Sequence, residues 1–79
     1  MTEHILDVRS ETPSRRHGLV LDTCRALRIG EGFVLANDLD LKPLRHQLEV
    51  EQAGAYGWDY LEQGPEVWRV RIGRLPGSR

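Results

Sequence analysis

The stretch "HILDVRSETPSRRHGLVLDTCRALRIGEGFVLAN", residues 4–37, changes its apolar period twice. In "HILDVR" (4–9), Leu6 and Val8 alternate with Ile5, Asp7 and Arg9, the period-two pattern of a strand with one covered face. From 13 to 28 the period becomes helical. His17, Val20, Leu21, Cys24 and Leu27 share a stripe, with Arg15, Asp22 and Ala26 opposite. "GFVLAN" (32–37) returns to alternation, Phe33 and Leu35 against Val34 and Ala36. Strand, helix and strand in this span form a crossover unit, expected to be right-handed.

The boundaries have their own signals. Pro13 suits a first helical turn, and Thr12 is expected to cap it through its hydroxyl. Gly30 is expected at C′, where a positive φ ends the helix. In "NDLDLKPL" (37–44), Asp40 reads as the N-cap of a second helix, capping the Lys42 amide and leaving Pro43 at N3. Leu41, Leu44, Gln47 and Leu48 then face inward, while Arg45, His46 and Glu49 face water.

"AGAYGW" breaks that helix, and residues 56–62 and 67–73 read as strands around the turn signal "EQGPE". The favoured register sets Tyr60 opposite Trp68, Trp58 opposite Val70 and Asp59 opposite Arg69. The order is β-α-β-α-β-β, one apolar face per strand. The fold class is therefore α+β, a two-layer sandwich of a four-stranded sheet with both helices on one face. The open face is expected to carry Asp7, Arg9, Asp59, Arg69 and Arg71. The whole chain, 1–79, forms a single domain, with an ordered core over 4–73 and a flexible tail over 74–79.

Composition narrows the function. Seventy-nine residues bury a modest core and cannot enclose a large substrate. A net charge of −1 without a basic stripe does not suit nucleic acid. One cysteine, Cys24, excludes an internal disulfide or a multi-thiolate metal site within one chain and fits a reducing, cytoplasmic setting. "MTEHILDVRS" has no long apolar run, so neither a signal peptide nor a membrane span is expected.

Several motifs together resemble a known small family: "LDVR", "P-x-x-R-H", "GE-x-F-x-L-x-ND", "KPL" and "YLE-x-GP-x-x-WRVRI". They are similar to the domain of unknown function family 2249 (DUF2249) over roughly residues 5 to 73. In that family a histidine and a proline usually stand where this chain has Leu39 and Leu41. The resemblance implies the fold of the TusA-like (SirA-like) sulfur carriers, with strand order 1-2-4-3. It also implies a link to haemerythrin-type cation-binding domains, and so to iron, oxygen or nitric-oxide handling. Laid on the carriers' pattern, Leu6 to Glu31 agrees in length. The carriers' sulfur-bearing cysteine falls on Pro13, and the P-x-P after it on Ser14, Arg15 and Arg16.

A persulfide carrier needs a thiol activated by a helix end. Pro13 has none, and Cys24 lies on the apolar stripe, where it reads as structural. His17 is the sharper candidate. Burial, the positive helix end and the neighbouring arginines disfavour its protonated form, leaving a lone pair for a metal, haem iron or proton. The plainer reading is a half-buried ring bonded to a carbonyl. His4 and His46 make no short-spaced ligand pair with it, so a closed structural zinc site is not expected and no cofactor is assigned, while an open axial site for metal or haem, or an intersubunit site, stays open. Arg9, Arg15 and Arg16 could hold an anion, or stand as solvated surface cations. Asn37, Asp38 and Asp40 could form a loop metal site, or serve as turn and cap residues. Trp58, Tyr60 and Trp68 read as core.

The leading expectation is a noncatalytic binding or regulatory module whose partner is a protein, such as a redox or haemerythrin-like one. Its expected surface is Arg9, Pro13, Arg15, Arg16 and His17 with Asn37 and Asp38. The alternatives are a diverged sulfur-transfer accessory and a module for an anion or nucleic acid.

Overall fold

The computed structural model describes residues 4–76. Its elements are β1 (His4–Asp7), α1 (Pro13–Ala26), β2 (Gly32–Asn37), α2 (Lys42–Glu51), β3 (Tyr56–Gln63) and β4 (Trp68–Arg74). They build one sheet ordered β1-β2-β4-β3, with β1 parallel to β2 and the other pairs antiparallel. This is the expected α+β sandwich.

The alternation of the strands sets the core. Leu6, Leu35, Val70 and Tyr60 line up across the four strands, and Phe33, Ile72 and Trp58 form a second row. Val20, Leu21 and Cys24 of α1 and Leu44 and Leu48 of α2 close over these rows. Burial of each large apolar side chain contributes about 1.5–3 kcal/mol. Trp58, Tyr60 and Trp68 pack against the same cluster, as expected, and their rings meet edge to face at 6.4 Å.

The hairpin register differs from expectation by two residues up to Tyr60 and by three beyond it. Trp58 faces Ile72, Asp59 faces Arg71 and Tyr60 faces Val70. Beyond an irregularity between Tyr60 and Glu62, Glu62 faces Arg69 and Gln63 faces Trp68. The turn is tighter than the expected pairs required, because the Gly64 N–H donates to the Val67 carbonyl at 2.8 Å. The two-residue slip leaves Trp58, Asp59 and Tyr60 on their expected faces, so alternation could not detect it there. The charges re-pair accordingly, with Arg69 Nε donating to Glu62 Oε1 at 3.0 Å.

The element ends show further corrections. Strand β1 stops at Asp7 rather than at 9, because the Asp7 carboxylate accepts the Arg9 amide at 3.0 Å and turns the chain. Thr12 is the N-cap of α1, but its hydroxyl caps nothing and stands 3.5 Å from Ser14 Oγ. Helix α1 ends at Ala26, with Leu27 as C-cap. Gly30 has the expected positive φ, 91°, but lies past C′ in the turn into β2. There the Glu31 carboxylate accepts the Arg28 amide at 2.8 Å. At α2 the N-cap is Leu41, so Pro43 stands at N2, although Asp40 Oδ1 does accept the Lys42 amide at 3.1 Å. Of the expected tail, Arg74 ends β4 and the Leu75 amide bonds the Ala55 carbonyl at 2.8 Å. Residues 77–79 lie outside the described residues.

Candidate functional site

Because β1 and β2 are parallel and each feeds a helix, α1 and α2 both begin at the end of the sheet where β1 and β2 stop. Ligands of α/β sheets favour this end of parallel strands. A pocket of about 200 Å³ opens there. Val8, Val20, Leu41 and Leu44 form apolar walls, Pro13 and Pro43 come from the two helix starts, and Arg16, His17, Asn37 and Asp40 supply polar groups. Leu39 completes the lining and is 64% exposed.

Arg16 holds this end together. Its Nε donates to the Glu11 carbonyl at 2.8 Å, and Nη2 donates to the Arg9 carbonyl at 2.9 Å. Nη1 donates to Asn37 Oδ1 at 3.0 Å and to Asp38 Oδ1 at 2.7 Å. The side chain is only 17% exposed. A guanidinium fork suits such a cluster because its donors lie in one plane. Arg16 thus ties the first turns of α1 to the β1–α1 loop and to the end of β2.

The other arginines are engaged nearer the surface. Arg9 makes a two-point contact with Asp7, at 3.0 and 2.7 Å, and Arg15 Nε lies 3.3 Å from Glu11 Oε1. An anion at this end would compete with Asp7, Glu11 and Asp38 for these donors. Pro13 and Pro43 also remove two backbone N–H groups from the helix starts.

Of the expected site residues, the pocket gathers Pro13, Arg16, His17 and Asn37, and Asp38 joins through its ion pair to Arg16. Arg9 and Arg15 lie outside the lining. His17 sits on the expected stripe, but its ring is exposed rather than half-buried. It lines the pocket and is exposed, so it stands at the pocket rim. His4 and His46 are exposed on other elements. Among the described residues no cluster of three His, Cys, Asp or Glu could hold a metal ion. The oxygens of Asn37, Asp38 and Asp40 serve Arg16 and the Lys42 amide.

Cys24 is fully buried, and burial pushes its thiol up to about 11. It should resist thiol reagents at neutral pH until the chain unfolds, as timed thiol titration in rising urea will show. Cys24→Ala should cost about 1 kcal/mol or slightly more through lost packing.

The carboxylates give a signed pH dependence. Hydrogen bonds from Arg9 lower Asp7 to about 2, and the Arg16 hydrogen bond lowers Asp38. Such groups contribute stability above their unfolded value, about 3.9, and lose it as pH falls through the folded value. Stability should therefore decline between about pH 4 and pH 2. Urea midpoints measured across that range should fall less steeply in Asp7→Asn and Asp38→Asn.

The lining residues that sequence reasoning missed are mainly apolar: Val8, Val20, Leu39, Leu41, Pro43 and Leu44. Two signals were available. Each helix start carries a proline, and Leu39 is an apolar residue inside a polar loop. Leu39 and Leu41 are also the positions at which the chain departs from the pattern it resembles.

The fold and this end pocket define a small α+β sandwich with a cleft beside two helix starts. A family model described as "Uncharacterized conserved protein (DUF2249)" matches residues 5–74, and the chain belongs to that family. Comparison with curated proteins and with solved structures finds no match. Among the described residues no helix is long and apolar enough to cross a membrane.

Proposed function

We propose that this protein is a noncatalytic binding or regulatory module that acts through the pocket between the starts of α1 and α2. The observation that carries this reading is the pocket itself, an apolar cleft of about 200 Å³ braced by a nearly buried arginine. Arg16 spends its hydrogen bonds on holding the chain. The only thiol is buried with a raised pKa, unsuited to carrying sulfur. A sulfur-transfer accessory would need its thiol from another subunit. An anion-binding module would need donors that here face the chain's own oxygens. The partner in this reading is a protein, and the haemerythrin-type domains implied by the family resemblance are the first to test.

The test is amide NMR with small apolar and mixed-polarity fragments. Shifts should concentrate at Val8, His17, Leu39, Leu41 and Leu44. A fragment set that perturbs only the open sheet face or nothing would refute the pocket as the binding surface.

A further inference from the structure

We infer that the occupant of this pocket is an acidic linear segment of a partner protein that inserts one aliphatic or aromatic side chain. This rests on the binding reading above and adds the chemistry of what is bound. The pocket measures about 200 Å³. An apolar cavity of about 150 Å³ holds a benzene, whereas sites for whole small molecules start at about 300 Å³. The space therefore fits a single side chain. Its walls are Val8, Val20, Leu41 and Leu44, so the inserted group is apolar.

Charge determines what surrounds that side chain. Helix first turns ordinarily gather acids, which complement the backbone dipoles. Neither α1 nor α2 has an acid in its first turn. Arg15 and Arg16 stand there in α1 and are answered by Glu11 and Asp38. In α2 the exposed cations are Lys42 and Arg45. They lie on one face at i, i+3 spacing, beside the wall residues Leu41 and Leu44. Neither has an ion-pair partner among the described residues. The chain as a whole carries a net charge of −1, so this cationic strip is local. Asp38 and Asp40 make the loop side of the mouth acidic. An acidic segment would therefore place its carboxylates over the first turn of α2 and away from that loop.

A ligand confined to the cavity would leave the Lys42/Arg45 strip and the outer part of the exposed Leu39 side chain untouched. A chain segment spans all three, with one side chain in the cavity, apolar contact at Leu39 and carboxylates over α2.

The experiment is amide NMR on the full chain with three short capped peptides. One has a leucine flanked by glutamates, one has alanine for the leucine, and one has lysines for the glutamates. Benzene is added separately as a probe of the cavity alone. The leucine–glutamate peptide should shift Leu39, Leu41, Leu44 and His17. The alanine peptide should bind roughly tenfold weaker or worse. The lysine peptide should not bind. Lys42→Glu and Arg45→Glu, both at exposed positions, should each weaken binding about fivefold, and added salt should weaken it further. Benzene shifts without discrimination between the glutamate and lysine peptides would overturn the acidic segment but keep the pocket. No shift from benzene or any peptide would overturn both readings. Movement of the same signals on dilution of the protein alone would make the occupant a second copy and overturn the inference.

Discussion

Arg16→Ala should lower stability by about 3 kcal/mol and loosen the pocket at once. The guanidinium donates to two backbone carbonyls, of Arg9 and Glu11, and to the side chains of Asn37 and Asp38. Hydrogen bonds from a charged group contribute about 1.5–3 kcal/mol each, and acceptors left without partners add to the loss. Partial solvent access at the Asp38 end keeps the total near 3 kcal/mol rather than the sum. In a domain this size the melting temperature should fall by about 12–24 °C. Arg16→Lys keeps the charge but not the planar fork and should recover less than half of the loss. Thermal melts read the stability, and amide signals of Asn37, Leu39 and Leu41 read the pocket. A loss below about 1 kcal/mol with those signals unmoved would mean that Arg16 is a passenger on this surface.

Phe33→Ala should bring the domain close to unfolding. Phe33 is 1% exposed, sits in β2 beside Ile72, and shares that partner with Trp58. Truncating a buried phenylalanine costs about 3–5 kcal/mol, because the cavity it leaves collapses only in part. Total stability for a small domain starts near 5 kcal/mol, so little would remain. Phe33→Leu retains most of the buried volume and should cost less than about 1.5 kcal/mol. Urea titration followed by tryptophan fluorescence measures both, with Trp58 as the near reporter. A Phe33→Ala midpoint close to that of the unsubstituted chain would show that helix packing, rather than the inner row of the sheet, carries the core.

The two substitutions separate the layers of the molecule. Phe33 acts on the core common to all four strands, whereas Arg16 acts on one end of it. A Phe33 variant should lose all signals together. An Arg16 variant should first lose order near residues 9–17 and 37–44, because its bonds join only those segments.

Element order, the inward face of every strand and the stripes of both helices were legible in the sequence. Alternation and helical spacing report directly which side chains avoid water, and that choice leaves few ways to stack six elements. The burial of Cys24 was legible for the same reason. Tertiary structure alone decided the hairpin register, because a two-residue slip satisfies the same pattern and was selected by the turn at Gly64 and the irregularity before Glu62. It decided the fate of His17, whose stripe position was evident but which lies exposed at the pocket rim. It made Arg16 a clamp on its own chain, since the carbonyls of Arg9 and Glu11 and the side chains of Asn37 and Asp38 converge only once the chain is folded. Hydrophobic period is a local property that a sequence carries in full. The convergence of polar donors and acceptors from separate segments depends on distances that no local pattern encodes.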